Sequence, residues 1–425
     1  MRKYEQYRTD TPEWIGEIPE HWRLPYLKQL FKDNKRKNSS LEEQNLLSLS
    51  YGRIIRKSIS QNGGLLPASF ESYQIVQPGY IILRLTDLQN DKRSLRVGYS
   101  NEKGIITSAY SGLIPGEGVY PKYYYYFLHY LDLIKHLYTL GGGVRQSSDY
   151  KELGKFKIPF PPLPEQRAIA AFLDRKTEQI QSLIQRKQKL IELLKEQKAA
   201  LINRAVTRGL DPQAPLKNSG IDWLGDIPEQ WEAVKLKFVV NLNVNPKESD
   251  HNSFKIALEN IESWTGKYVP TTDAPFEGEG TPFNPGDVLF NKLRPYLAKA
   301  FLPEKPGMCV NEILVFSPKE NISDAYLFRL LLSPDFITLV NSSTYGAKMP
   351  RASWSFIGNQ TIPIPPIAEQ NEIVKHIDQK TANVDKTIKR TLKEIKFVKE
   401  YQQSLIAHAV LGKVDVREAA PAVQD

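Results

Sequence analysis

The sequence predicts an α+β protein built by tandem duplication, with two globular mixed α/β domains separated by two long antiparallel coiled-coil helices. Three observations predict it: a repeated tryptophan-proline entry motif, a repeated proline-rich gate, and a heptad pattern after each gate. Trp14-Ile-Gly-Glu-Ile-Pro-Glu-His-Trp22 returns 209 residues later as Trp223-Leu-Gly-Asp-Ile-Pro-Glu-Gln-Trp231, with six of nine positions identical. The gate Ile158–Asp174 returns 204 residues later as Ile362–Asp378, with eight of seventeen identical. Two matches in the same order define a repeated unit of roughly 205 residues.

Each unit reads in the same order. A Trp-Pro entry leads into a mixed segment, then a gate whose Pro-Pro pair precedes Glu165 or Glu369. Proline is tolerated in the first helical turn, so each gate marks a helix start. Beyond it, Ile180, Ile184, Ile191, Leu194 and Leu201 recur at heptad spacing. Val384, Ile388, Ile395, Val398 and Leu405 repeat them 204 residues on. Sustained apolar a and d positions form a coiled-coil seam, and two similar seams in one chain pack most simply on each other. The expected domains are 1–160 and 211–364 as globular heads, 161–210 as the first helical spacer, and 365–425 as the second with a C-terminal tail. Asp211–Gly220, rich in turn residues, reads as a linker.

Between entry and gate the two copies diverge. Only Pro78-Gly79 with Pro285-Gly286, and an aromatic helix over 121–138 with one over 324–340, align before glycine loops at Gly141–Gly143 and Tyr345-Gly346. A conserved frame with divergent heads is the pattern of a reader rather than of a duplicated enzyme.

Composition narrows the class further. The 425 residues include a single cysteine, Cys309, and no apolar run of the ~20 residues needed to cross a bilayer. With no signal-like opening at Met1–Gln6, the expected setting is the reduced cytoplasm. The net charge is +9, which suits a polyanion partner. Arg167–Arg208 holds ten basic and four acidic residues and Asn371–Lys413 nine and five. The helices therefore carry the whole surplus, and charge alone does not locate a DNA site.

Catalytic and cofactor signatures are lacking: no Gly-Lys pair is followed by Ser or Thr, and no H-E-x-x-H occurs. No cofactor or metal is expected. Sequence is read in the major groove by Arg, Lys, Asn and Gln, and phosphates by any cation or donor. In the first head these types cluster as Tyr51, Arg53, Arg56 and Lys57, as Arg84, Arg93 and Arg96, and as Arg145, Gln146 and Ser147 in a glycine loop. In the second they are Asn291, Lys292, Arg294, Tyr296 and Lys299, then Lys348 and Arg351. Each cluster also has a plainer alternative, a solvated strand face or loop, and as a group each is expected to contact DNA.

Together the repeated W-x-G-x-I-P-x-x-W entry and I-P-x-P-P-x-x-E-Q gate resemble the specificity subunit of type I restriction-modification systems, across nearly the whole chain. Ala368 stands where the first gate has Pro164. The resemblance implies a non-catalytic subunit with two target recognition domains, each reading one half of an asymmetric bipartite site in double-stranded DNA. It implies two modification (methyltransferase) subunits docked on helices that set the spacer, with two restriction subunits recruitable, in defence against foreign DNA. The competing readings are a DNA-independent coiled-coil scaffold, the specificity subunit of a methyltransferase-only defence system, and an enzyme with diverged motifs.

Overall fold

The computed structural model describes residues 2–58, 67, 69–88, 91, 94–141, 147–248, 253–271 and 276–417. Two compact units divide the chain: Met1–Arg186 with Lys393–Asp425, and Lys187–Leu392. Both boundaries fall inside long helices, Leu163–Arg208 and Ile367–Val410. Each unit thus combines one head with a part of both helices.

The heads share one architecture despite their divergent sequences. The first contains an antiparallel sheet ordered Phe31–Asp33, Ser111–Pro115, Ile81–Leu83, Val97–Tyr99. The second repeats that order with Val240–Asn243, Ile313–Pro318, Val288–Asn291 and Ala300–Phe301. The apolar runs after Pro78-Gly79 and Pro285-Gly286 are the strands buried at the middle of these sheets. Both glycines adopt a φ of +92°, a turn conformation that side chains disfavour.

A smaller sheet also recurs. In the second head Lys247–Glu248, Glu279–Phe283, Gly307–Cys309 and Lys255–Ile256 pair in that order, the last pair parallel. The first head has Lys37 opposite Gln74, Gln74–Val76 on Gly104–Ile106, and Leu46 parallel to Ile105. The heads differ at the aromatic helix. Pro121–Leu133 is one helix, followed by a short 3-10 turn at His136–Thr139. Its counterpart breaks into Asp324–Leu331 and Pro334–Ser342, because Pro334 removes a donor and disfavours helical geometry at Ser333.

The heptad seam forms as the spacing requires. Ile180, Ile184, Ile191, Ile395 and Leu405 are buried, and Leu194, Leu201, Val384, Ile388 and Val398 are partly buried. In the second unit Lys198 donates to both carboxylate oxygens of Asp385, at 2.7 and 2.8 Å. In the first, Gln181 and Gln402 line one crevice. Seventeen residues back from Lys198 to Gln181 corresponds to seventeen residues forward from Asp385 to Gln402, so the helices run antiparallel.

The repeated motifs tie head to helices. The Trp22 indole donates to Glu165 of the gate and the Trp231 indole to Glu369, both at 3.0 Å, and both rings are fully buried. The neighbouring glutamines clamp backbone. Gln166 donates to Gly118 and Pro161 carbonyls and accepts from Tyr120 N–H. Gln370 does the same with Asn321, Pro365 and Ser323. Opposite, the Tyr123 hydroxyl donates to the Val410 carbonyl and Tyr326 to that of Val206. Each head therefore holds the start of one long helix and the end of the other.

Candidate nucleic-acid interface

Binding residues fall disproportionately on the loops that a rigid scaffold positions, so the exit of the middle strand is the natural place to look. In the second head that exit joins two segments far apart in sequence. Arg294 N–H donates to the Pro350 carbonyl at 2.7 Å, and Ala352 N–H to the Lys292 carbonyl at 3.0 Å. Leu293 bridges to Arg351, and Arg351 to Tyr345. Lys292, Arg294, Tyr296, Lys348 and Arg351 are thereby gathered on one surface. Tyr296 and Tyr345 expose 48% and 65% of their area, which supplies stacking faces among the cations. Arg351 is paired with Glu312 at 2.8 Å, and this pairing holds the Glu312 carboxyl below the usual carboxylate range. Lys299 lies behind this surface. Its ammonium donates to the Leu258 carbonyl, and burial lowers its pKa.

The first head repeats the arrangement. Ser148 N–H, at the exit of the glycine loop, donates to the Leu85 carbonyl at 2.8 Å, the counterpart of Ala352 on Lys292. Arg84 and exposed Ser147 flank this junction, with Arg84 facing Asp91 at 3.5 Å. Arg93, Arg145 and Gln146 lie outside the described residues.

A second group sits on the hairpin of Leu47–Ser50 with Arg53–Arg56. Strand alternation turns Leu47, Leu49 and Ile54 inward and Ser48, Ser50, Arg53 and Ile55 outward. Arg56 is paired with Glu102, and Lys57 is exposed. The tip residues Tyr51 and Gly52 have φ of +46° and +77°, the two-residue turn in which Asn-Gly is preferred.

Two expectations are corrected. Arg96 is not a nucleic-acid contact: it is fully buried, and its guanidinium is spent on the carbonyls of Arg84, Thr86, Asp87 and Asp91 and the Tyr138 hydroxyl. Asn291 is likewise structural. Its buried side chain donates to the Leu293 carbonyl and accepts from Leu293 N–H, closing the turn that presents Arg294.

The sequence reading missed two features. Asn34 and Asn243 each donate to a carbonyl across the head, Ile75 and Pro282, at 2.8 Å. Extending the entry alignment through Leu27-Lys28 and Leu236-Lys237, also 209 apart, exposes them. The second feature is a crevice between head and helices in each unit. The first encloses about 610 Å³ beside Tyr51, Arg53, Tyr125, His129 and Asp174; the second about 760 Å³ beside Trp264, Lys267, Tyr268 and Arg329. Tyr126 donates to Asp174 at 2.7 Å in one, and Arg329 pairs with Asp378 in the other.

His129, in the first crevice, stacks on Tyr125. Its Nδ1 is buried without a hydrogen-bond partner, and burial pushes its pKa down from 6.5 to about 4. The folded ring resists a proton that the unfolded one accepts. Stability is therefore expected to fall as pH drops from about 6.5 toward about 4. A His129→Phe variant should flatten that slope in denaturant titrations across the interval.

Each unit carries one copy of a duplicated frame, with like sheets and unlike loop clusters at the same strand exit. The chain belongs to the type I restriction modification DNA specificity domain family, whose model matches twice, over residues 24–193 and 228–396. It is a type I restriction-modification specificity subunit with two recognition domains. Relatives include the EcoDI type I restriction enzyme specificity subunit of Escherichia coli, 25% identical over 62% of this chain and 63% of that one. The MjaVIII subunit of Methanocaldococcus jannaschii is 25% identical over 75% of this chain and 76% of its own length. Among solved structures, a chain from a study of type I R-M complex assembly and conformational transition aligns over 92% of this chain and 98% of its own, with TM-score 0.67 and 14% identity. The HsdS subunit of Thermoanaerobacter tengcongensis aligns over 93% and 98%, with TM-score 0.52 and 15% identity. No helix among the described residues is long and apolar enough to cross a membrane.

Proposed function

We propose that the two heads, 1–160 and 211–364, each read one half of an asymmetric bipartite target in double-stranded DNA. The segments 161–210 and 365–425 set the gap and dock two modification subunits, and two restriction subunits complete a cleaving complex in the cytoplasm. The chain supplies recognition and no bond-making step. The observation that carries this reading is the pairing of a shared sheet order with unlike surfaces at the same strand exit. Arg84 and Ser147 stand in one head where Lys292, Arg294, Lys348 and Arg351 stand in the other. Arg53 and Lys57 add to the first surface, and Tyr296 to the second. The docking role is supported by apolar side chains left exposed on the helices. These are Leu183, Phe397 and Tyr401 in the first unit, and Leu190, Leu193 and Leu392 in the second.

Methylation mapping of DNA from cells expressing the chain with its modification partner tests the reading. The expected result is one asymmetric two-part motif; scattered or absent methylation overturns it. Removing one heptad from each helix should bring the half-sites closer by about 10 Å at ~1.5 Å per residue, or about 3 base pairs at ~3.4 Å each. Both half-site sequences should survive the deletion in the same mapping experiment.

A further inference from the structure

The two heads differ where the first carries its hairpin and the second a turn, Ile261 bridged to Tyr268. Both follow the parallel pairing at Leu46 or Ile256, so they occupy the same place in the fold. Their sequences cannot be aligned, yet they share one design. Each presents an aromatic residue at positive φ, Tyr51 at +46° and Trp264 at +65°. Each follows it with a positive-φ glycine, Gly52 or Gly266, that seats the turn against its head. A Cβ on Gly52 would stand 3.1 Å from Leu95, and one on Gly266 would stand 2.5 Å from the Ala300 carbonyl and the Phe328 ring. Each glycine is followed at once by a cation, Arg53 or Lys267.

These aromatics are poorly placed to serve the fold. Tyr51 leaves 78% of its surface exposed and Trp264 45%, large exposed fractions for aromatic rings held on a backbone that side chains disfavour. Asparagine or glycine would suit both positions better. Positive φ at exposed aromatic residues clusters at ligand-binding positions. The adjacent cations identify the kind. Both are exposed, and among the described residues no carboxylate engages Arg53 or Lys267. Ile55, 41% exposed, adds an apolar neighbour on the outward face of the hairpin. An aromatic ring beside an unengaged cation on a rigid turn matches a nucleobase beside its phosphate.

We infer that Tyr51 and Trp264 are paired stacking residues, one per head, each entering a base step of its own half-site while Arg53 or Lys267 holds the adjacent phosphate. The inference rests on the reading that the heads bind DNA, and it assigns to the turns a role distinct from the strand-exit clusters. The two turns then act independently, because each belongs to a separate unit.

The test uses the full chain assembled with its modification subunits. The probe is a duplex carrying the mapped target, with 2-aminopurine placed at each position in turn. Binding should raise fluorescence at one step in each half-site. Tyr51→Ala should erase the first rise alone and Trp264→Ala the second alone, each weakening binding roughly five- to hundredfold. Tyr51→Asn and Trp264→Asn separate binding from folding: their unfolding midpoints should hold or rise while affinity falls. The inference is overturned if wild-type binding raises no fluorescence, or if the rises persist in the alanine variants. It is also overturned if the asparagine variants lose stability and affinity together, or if the variants shed the modification subunits while keeping DNA affinity. If the wild type fails to prefer the target over a random duplex, the DNA reading itself falls, and that shows before any variant is made.

Discussion

Replacing Arg96 with methionine is expected to destabilise the first unit by about 3–5 kcal/mol, one of the largest effects a single change should have here. Methionine keeps the length of the stem and none of the donors. The guanidinium currently satisfies the Thr86 carbonyl at 2.7 Å and the Asp87 carbonyl at 3.0 Å, with further bonds to Arg84, Asp91 and the Tyr138 hydroxyl. Removing it strands several acceptors in a place that excludes water. Urea denaturation of the full chain reads the loss directly. Arg53→Met is the matched control: an exposed arginine that pairs with no carboxylate among the described residues should change stability by no more than about 0.5 kcal/mol. Equal, small effects from both substitutions would show that Arg96 is a surface group after all.

Trp231→Ala should cost about 3–5 kcal/mol, through a lost buried ring and the cavity it leaves. The consequence should also be local in an informative way. The indole bonds Glu369 at the start of the second long helix and packs within 3.2 Å of where a Cβ on Gly209 would sit, just past the end of the first. Hydrogen exchange should therefore quicken in two segments remote in sequence, around Val206–Gly209 and around Glu369–Ile373. The equivalent segments around Glu165 and Val410 should keep their protection, and Trp22→Ala should reverse the pattern. Exchange spread evenly over both units would contradict the assignment of each tryptophan to one unit.

The sequence made the frame legible because the frame was duplicated. A fully buried tryptophan and the glutamate that accepts its indole hydrogen tolerate little change, so they survive in both copies and announce themselves as repeats. The heptads were legible for the same reason, since every seam position constrains its neighbour four or three residues on. The heads were hidden because a sheet needs only apolar alternation, which many sequences satisfy. The matching strand orders share little beyond Pro78-Gly79 and Pro285-Gly286. Surface function is the least legible in sequence. Arg96 and Arg53 look alike in a string of letters; what separates them is whether carbonyls converge on the guanidinium, and that depends on Tyr138 and Asp91 arriving from elsewhere. Trp264 carries no signal in the sequence, where an aromatic residue in a mixed segment reads as core. Only its backbone angle and exposure set it apart.

The ion pair between Lys198 and Asp385 has no charged equivalent in the other unit, where Gln402 and Gln181 take the corresponding places. If two copies of the first long helix were to zip together in the same register, each lysine would meet Gln181 and find no counter-charge. Two copies of the second would leave Asp385 facing Gln402, equally unanswered. Only the heterotypic match satisfies both. A gene that doubled itself created two strips able to mistake themselves for one another, and this lock-and-key contact marks which strip is left and which is right.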